Sequence, residues 1–320
     1  MLKSILLKNW FFVGIAVMVL TAFYLPGVGL FVKSYKMLNI AIFLGFLITG
    51  LTLDTSRFLE QLKNIRVLLA ALASSLLLFP VIAYLLARFF FKAPPDFALG
   101  ALIIGAAPAT VASGTVMSAI ALGNIPLSLF ICVLTNFACL LTIPFILTQL
   151  LHYTGTSVDL PVASMLFSLT LKVLVPTLIG QMLRPHIAAM IHPYKKQVSI
   201  FNQFIVLMIV LNAVSSAADR LLKSDITIVW LFVFMFALHA LILAINFGIS
   251  RAIRLDLPST ATFTIHTSQK TLTISYLVWA EHFYHSHPMA LIPPIVYHLI
   301  QSIVDTWIAH RFRRLAEQQA

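Results

Sequence analysis

Two polar stretches interrupt an otherwise apolar chain. The first runs Gly105-Ala106-Ala107-Pro108-Ala109-Thr110-Val111-Ala112-Ser113-Gly114-Thr115, and the second runs Thr264-Ile265-His266-Thr267-Ser268-Gln269-Lys270-Thr271. Their side chains are hydroxyls, a carboxamide and one ammonium, a set suited to binding small polar ligands. Pro108 removes a backbone donor and Gly114 loosens a helix, so the first stretch predicts a break. The second has no Pro or Gly, and a break there rests on polarity and on its matching position in the second half of the chain. Unwound backbone at membrane depth is tolerated only where it lines protein or a wet cavity. Broken helices also present half-helix N-termini, which are partly positive and favour anions. The candidate substrate-binding residues are therefore Ser113, Gly114, Thr115, Thr267, Ser268, Gln269, Lys270 and Thr271.

Lys270 is the sharpest of these. A charge at the centre of a bilayer costs roughly 2.5–3.5 kcal/mol even on lenient insertion scales, so such a residue faces an interior site and usually acts. Lys172 also lies in an apolar run, but Pro176 and Arg184 follow it and a packing role competes. Glu281, His282, His285 and His287 cluster at the end of an apolar run, where solvated histidines are the expectation and no metal site is predicted. Asp305, close to Arg311, is expected to make an interfacial pair with a nearby arginine. Cys132 and Cys139 lack a His or Cys partner at metal spacing and read as small apolar fillers. No span holds a nucleophile–base pair or paired carboxylates, so no catalytic residue is assigned and the chain does not read as an enzyme.

The elements carrying these stretches are membrane helices. The 320 residues are 60% hydrophobic and 10% charged, with a mean hydropathy of +0.99. A soluble domain carries about 25% charged residues. Apolar runs of spanning length fall near 10–30, 37–54, 66–91, 97–122, 125–148, 161–183, 200–218, 226–250, 259–283 and 288–310. The N-terminal run resembles a signal peptide but lacks a clear cleavage site, and is expected to be the first helix. Gly123-Asn124-Ile125-Pro126 supplies a turn inside the long uncharged stretch from Phe97 to Val158.

The net charge of +11 reflects loops rather than nucleic-acid binding. Thirteen Lys and Arg fall on the N-terminal side and six on the other, which predicts both termini in the cytoplasm of a cell-membrane protein. That membrane is the inner one if the source is Gram-negative. Ten spans divide into repeats at about 1–150 and 155–320, within one transporter domain over 1–320. Five helices per half inverts the second half relative to the first. The expected fold is all-α, with helices four and nine interrupted and crossing. The sequence does not fix an oligomeric state.

These residues carry a resemblance. Pro108 through Ser113, Val116-Met117, Gly123-Asn124 and Ser128 look like the fourth-to-fifth helix signature of the bile acid:sodium symporter family. Lys172 through Pro185 (KVLVPTLIGQMLRP) resembles the family's sixth helix. HTSQKTLTIS, from His266, is similar to the ninth-helix motif of its sodium-bile-acid-symporter-like branch. The resemblance implies a panel domain, a core domain and a crossover of helices four and nine at the transport site. It also implies an ion-binding set of Ser75, Ser113, Ser128, Thr264 and Ser268. Several positions depart from the family pattern. Gly114 and Thr115 replace an Asn, Cys132 a Thr, Ser75 a Gln, Thr264 a sodium-binding Glu, Ser268 a Gln and Gln269 an Asn. With no carboxylate at Thr264, obligatory sodium coupling is not expected. The expectation is alternating-access transport of a small organic anion or amphipathic acid, with Na+, H+ or exchange as the coupling and no cofactor. The alternative is a non-transporting membrane regulator of ion homeostasis or signalling.

Overall fold

The computed structural model describes residues 10–53, 64–91, 95–110, 112–153, 160–223 and 227–319. Among them the chain is helical and contains no strand. Lys3, Lys8, Arg57, Lys63 and Lys92, which contribute to the basic asymmetry, lie outside the described residues.

The helices are α1 (Trp10–Tyr24), α2 (Pro26–Ser34), α3 (Met37–Thr52), α4 (Ile65–Phe90), α5 (Pro95–Ala106), α6 (Ala112–Ile120) and α7 (Ile125–Tyr153). Then follow α8 (Val162–Ile187), α9 (Lys195–Leu221), α10 (Thr227–Ala252), α11 (Leu257–Ser268), α12 (Leu272–His282) and α13 (Ile292–Gln319). Five of them, α4, α7, α8, α9 and α10, are long and apolar enough to cross a bilayer. The pair α1–α2, bent by 98° at Pro26, makes a sixth if it counts as one span. Large apolar side chains such as Phe89, Leu141, Phe145, Phe167 and Met182 stand exposed on the outer surface. So much exposed apolar surface suits lipid rather than water.

The helices pack into two groups. α8 lies along α3, and α9 lies along α1, α2 and α3. Gly50 and Gly180 let α3 and α8 touch backbone to backbone. A Cβ on Gly180 would come within 2.2 Å of the Leu47 carbonyl oxygen. The second group is built from α4, α5, α6, α7, α10, α11, α12 and α13. There, α11 starts on an Asp256 cap, whose carboxylate accepts from Ser259 N at 3.0 Å, followed by Pro258 in the first turn.

α4 is locally underwound into a π-helical turn at Ala73–Leu78. Phe79 N donates five residues back to the Ser74 carbonyl. The next donor in that ladder would be Pro80, which has no N–H. The Ser75 carbonyl is thereby left for a partner from elsewhere, in keeping with the habit of π-bulges of falling at functional positions.

Candidate functional site

Both polar stretches are breaks, and the breaks touch. The chain leaves helical geometry after Ala106 and resumes it at Ala112. It leaves again after Ser268 and resumes at Leu272. Thr271 N donates to the Pro108 carbonyl at 3.0 Å, joining the two backbones directly. Neighbouring helices satisfy the groups the breaks set free. From α7, Asn136 Nδ2 donates to the Ala109 carbonyl at 3.0 Å and Thr135 Oγ1 accepts from Ala109 N. From α13, Gln301 donates to the Lys270 carbonyl at 2.9 Å and accepts from Lys270 N at 2.8 Å. Tyr297 donates to the Ser268 carbonyl at 2.8 Å. Tyr297, Gln301 and Asp305 are spaced by four, so one face of α13 meets the second break.

His266 is a site residue that its sequence motif did not single out. It is fully buried and spans from α11 to the first break. Its Nε2 donates to the Thr110 carbonyl at 2.8 Å, and its Nδ1 lies 2.7 Å from the Ser128 hydroxyl. Gly114 makes room for it: a Cβ there would sit 2.4 Å from the imidazole.

Lys270 is completely buried. Its ammonium donates to the Ser75 carbonyl, to the Ser75 hydroxyl at 3.2 Å and to the Ala107 carbonyl at 2.7 Å. It also lies 4.4 Å from the centre of the Phe79 ring. Two carbonyls, a hydroxyl and an aromatic face are the surroundings a bare monovalent cation would need. The lysine supplies that cation from the chain itself.

Gln269 continues the network in the other direction. Its Oε1 accepts from Thr110 at 3.0 Å and Ser113 at 2.9 Å, and its Nε2 donates to Asp305 Oδ2 at 2.8 Å. Asp305 Oδ1 lies 2.9 Å from His239 Nε2, and His239 Nδ1 lies 2.7 Å from the Tyr297 oxygen. Asp305 and His239 are both 0% exposed. The expected interfacial pairing of Asp305 with an arginine is therefore corrected. The basic tail drew it toward the helix end, whereas its helical phase turns it into the core with Tyr297 and Gln301. His239 was overlooked among the apolar residues of α10, although an ionisable side chain inside such a helix was the available signal.

The hydrogens of this network can be counted. A carbonyl only accepts, so Tyr297's single hydrogen goes to Ser268. Sent elsewhere, it would leave a buried carbonyl unpaired at a cost of about 1–3 kcal/mol. The Tyr297 oxygen must then accept from His239 Nδ1–H, and the short His239–Asp305 contact holds a further proton.

A cavity of about 370 Å³ opens where the two helix groups meet. Thr110, Ser113, Thr271, His298, Ser302 and Thr306 line one side, and Phe11, Ile42, Gly45 and Phe46 the other. Of the predicted substrate-binding residues, Ser113 and Thr271 reach the cavity. Gly114, Thr115, Thr267, Ser268, Gln269 and Lys270 do not line it. The Ser128 and Thr115 hydroxyls lie 3.3 Å apart, and among the described residues the buried Thr264 and Thr267 hydroxyls have no hydrogen-bond partner.

Four of the five predicted ion-binding residues are committed to different partners, and the fifth, Thr264, keeps a buried hydroxyl with no hydrogen-bond partner among the described residues. Ser75 holds Lys270, Ser113 bonds Gln269, and Ser128 bonds His266. Ser268 accepts from Asn246 at 2.7 Å and donates to the Thr264 carbonyl. The nearby carboxylate, Asp305, faces Gln269 and His239.

At the periphery, Lys172 pairs with Glu281, which also accepts from Ser168. Lys33 stacks on Tyr284 and Trp279. Among the described residues no three His, Cys, Asp or Glu gather as metal ligands. Cys132 and Cys139 are buried, free thiols.

Residues 9–314 match the family described as the SBF-like CPA transporter family. An uncharacterised protein of Pseudomonas aeruginosa is 26% identical over 98% of this chain and 96% of its own length. Sodium/bile acid cotransporter 7-A of Xenopus laevis is 24% identical over 93% of this chain and 90% of its own. A putative symporter of Escherichia coli is 24% identical over 94% and 91% respectively.

Proposed function

The chain belongs to the SBF-like CPA transporter family, and from that premise we propose that it is a secondary transporter of a small organic anion or amphipathic acid, working by alternating access without obligatory sodium. The observation that carries this reading is the contact between the two breaks beside a cavity. Ser113 lies in the first turn of α6, and Thr271 caps the start of α12; both line the cavity. Two helix N-termini thus converge there, each worth roughly half a positive charge, and they suit a carboxylate or sulfonate. The opposite wall sets Phe11, Ile42 and Phe46 beside the polar Thr49, Ser199, Asn202 and Gln203, which suits an amphipathic body. Among the described residues no Lys or Arg lines the cavity. The substrate-facing role expected of Lys270 is accordingly indirect: its ammonium fixes the carbonyls of the crossover and adds positive potential behind the site.

In this reading the fold is a single transporter domain of ten spans in two inverted repeats. Each apolar run of the sequence coincides with one helix or a broken pair, which supports that count. α1, α2, α3, α8 and α9 form the panel, and the remaining helices form the core. The protein sits in the cell membrane with both termini in the cytoplasm, and its fourth and ninth spans are α5–α6 and α11–α12.

Reconstituted protein tests the function. Liposomes preloaded with taurocholate should accumulate labelled taurocholate by counterflow, saturably and in sodium-free buffer. Smaller aromatic carboxylates should compete. Saturable uptake that strictly requires sodium overturns the sodium-independent reading. Counterflow with none of these anions overturns the organic-anion reading.

A further inference from the structure

We propose that the His239–Asp305 pair is a proton-binding site, and that its occupancy latches the end of α11 through Tyr297. The proposal rests on the transporter reading for its purpose: the latched segment is half of the crossover. Its chemistry rests on the hydrogen count alone.

With the proton bound, three hydrogens serve this chain of contacts. One runs from Tyr297 to the Ser268 carbonyl, one from His239 Nδ1 to the Tyr297 oxygen, and one lies between His239 Nε2 and Asp305 Oδ1. The pair is then net neutral whichever partner holds the shared proton. Loss of one proton leaves two hydrogens for three contacts. Asp305 is then a carboxylate accepting from His239 Nε2–H, and Nδ1 becomes an acceptor. Tyr297 must turn its hydrogen from Ser268 to Nδ1. One proton has left, the pair carries one negative charge, and the last carbonyl of α11 has lost its donor. Rebinding the proton restores the Ser268 contact. Protonation of the pair thus decides whether α13 holds the second break.

The surroundings leave this pair as the site. On α13, His298 is bonded to Gln301, and Tyr297 is part of the latch. On α11, His266 is held by Ser128 and the Thr110 carbonyl. From the break, Lys270 is held by carbonyls of α4 and of the first break, and the Phe79 ring touches both it and Tyr297. α4 otherwise offers Arg88, bonded to Tyr84, and α5 offers Asp96, bonded to Met289 N. α12 offers Tyr276, Glu281 and His282, the last two at its far end. α10 itself adds the neutral Asn246, and beyond it Arg251 at its end. Hydrogen bonds link the pair to the cavity wall, since Asp305 accepts from Gln269 and Gln269 accepts from Thr110 and Ser113.

The test needs no substrate. Purified wild type, Asp305→Asn and His239→Gln are titrated potentiometrically in detergent across the whole pH range in which the fold survives. Wild type should release one proton per chain more than either variant. Separately, Thr271→Cys is labelled with a small polar thiol reagent in a background lacking Cys132 and Cys139. Its rate is taken relative to Ser302→Cys, which cancels the thiol's own titration. That ratio should rise several-fold with pH in the wild-type background and stay flat with Asp305→Asn. Tyr297→Phe, which keeps the ring but has no hydrogen to redirect, should also give a flat ratio. Superimposed titrations, or a wild-type ratio independent of pH, overturn the proposal. Counterflow in liposomes decides the transporter reading by itself, whichever way the titration falls.

Discussion

Lys270 carries a full charge into the crossover and surrounds it with oxygen. Removing the ammonium leaves the Ser75 and Ala107 carbonyls buried without their donor, at roughly 1–3 kcal/mol each. Lys270→Gln should therefore lower the melting temperature and weaken anion binding. Lys270→Arg should recover little, because a planar fork does not replace a compact ammonium. Lys270→Ala makes the sharper experiment: the empty oxygen set should accept a small cation, and sodium should raise that variant's melting temperature while leaving wild type unchanged. Equal stabilisation of both proteins would mean that sodium has a site elsewhere. Gly114 makes a second residue-scale case. Gly114→Ala drives a methyl to 2.4 Å from the His266 ring and should cost about 1–3 kcal/mol of stability by denaturant unfolding. An unchanged midpoint would show that the ring moves freely. Lys270 was legible in the sequence because a charge inside an apolar run has few bland explanations. His239 and Asp305 gave the same signal more weakly. A histidine is mostly neutral at physiological pH, and an acid near a basic tail has an easy surface partner.

The first break was legible at the element scale, since Pro108 and the small residues around it weaken a helix wherever they stand. The second was legible only as polarity. What holds each break open could not be read from sequence. The donors come from α7 and from one face of α13, far away along the chain. The π-turn of α4 belongs to the same class. Pro80 announces a missing donor, but not that the freed Ser75 carbonyl will meet Lys270. The substrate-binding set of the sequence is likewise sorted by geometry into cavity-facing Ser113 and Thr271 and residues behind them. Cys substituted at Ser113 or Thr271 should react with small polar thiol reagents, and a bound anion should slow the reaction. Cys at Thr267, which is fully buried, should react no faster than a lipid-facing control. Fast labelling at Thr267 would place the wet surface on the other side of α11 and move the proposed site with it.

The molecule as a whole presents two helix groups separated by a cavity, and its orientation in the bilayer decides which way that cavity faces. Alternation of apolar runs made the helices legible. It could not reveal their grouping, because α8 and α9 pack on α1–α3 through contacts such as Gly50 with Gly180 that leave no local trace. Orientation rests on the basic residues. In the proposed ten-span arrangement Arg66, Arg184, Lys196, Arg251, Arg254, Arg311, Arg313 and Arg314 fall on one side, with Lys33, Lys36, Arg88, Arg220 and Lys223 on the other. Positive charge resists translocation, so the richer side should stay in the cytoplasm. A fluorescent reporter fused after Ala320 should therefore glow, and a phosphatase fused there should be inactive. Fusions placed after Lys36 and after Lys223 should give the opposite pattern, because an odd number of crossings separates each of them from the C-terminus in the ten-span arrangement. Agreement of all three sites fixes both orientation and the parity of the spans between them. A phosphatase active after Ala320 would reverse the orientation. One active after Lys36 but inactive after Lys223 would show an odd number of crossings between those two points and remove the inverted repeat on which the crossing of α5–α6 with α11–α12 depends.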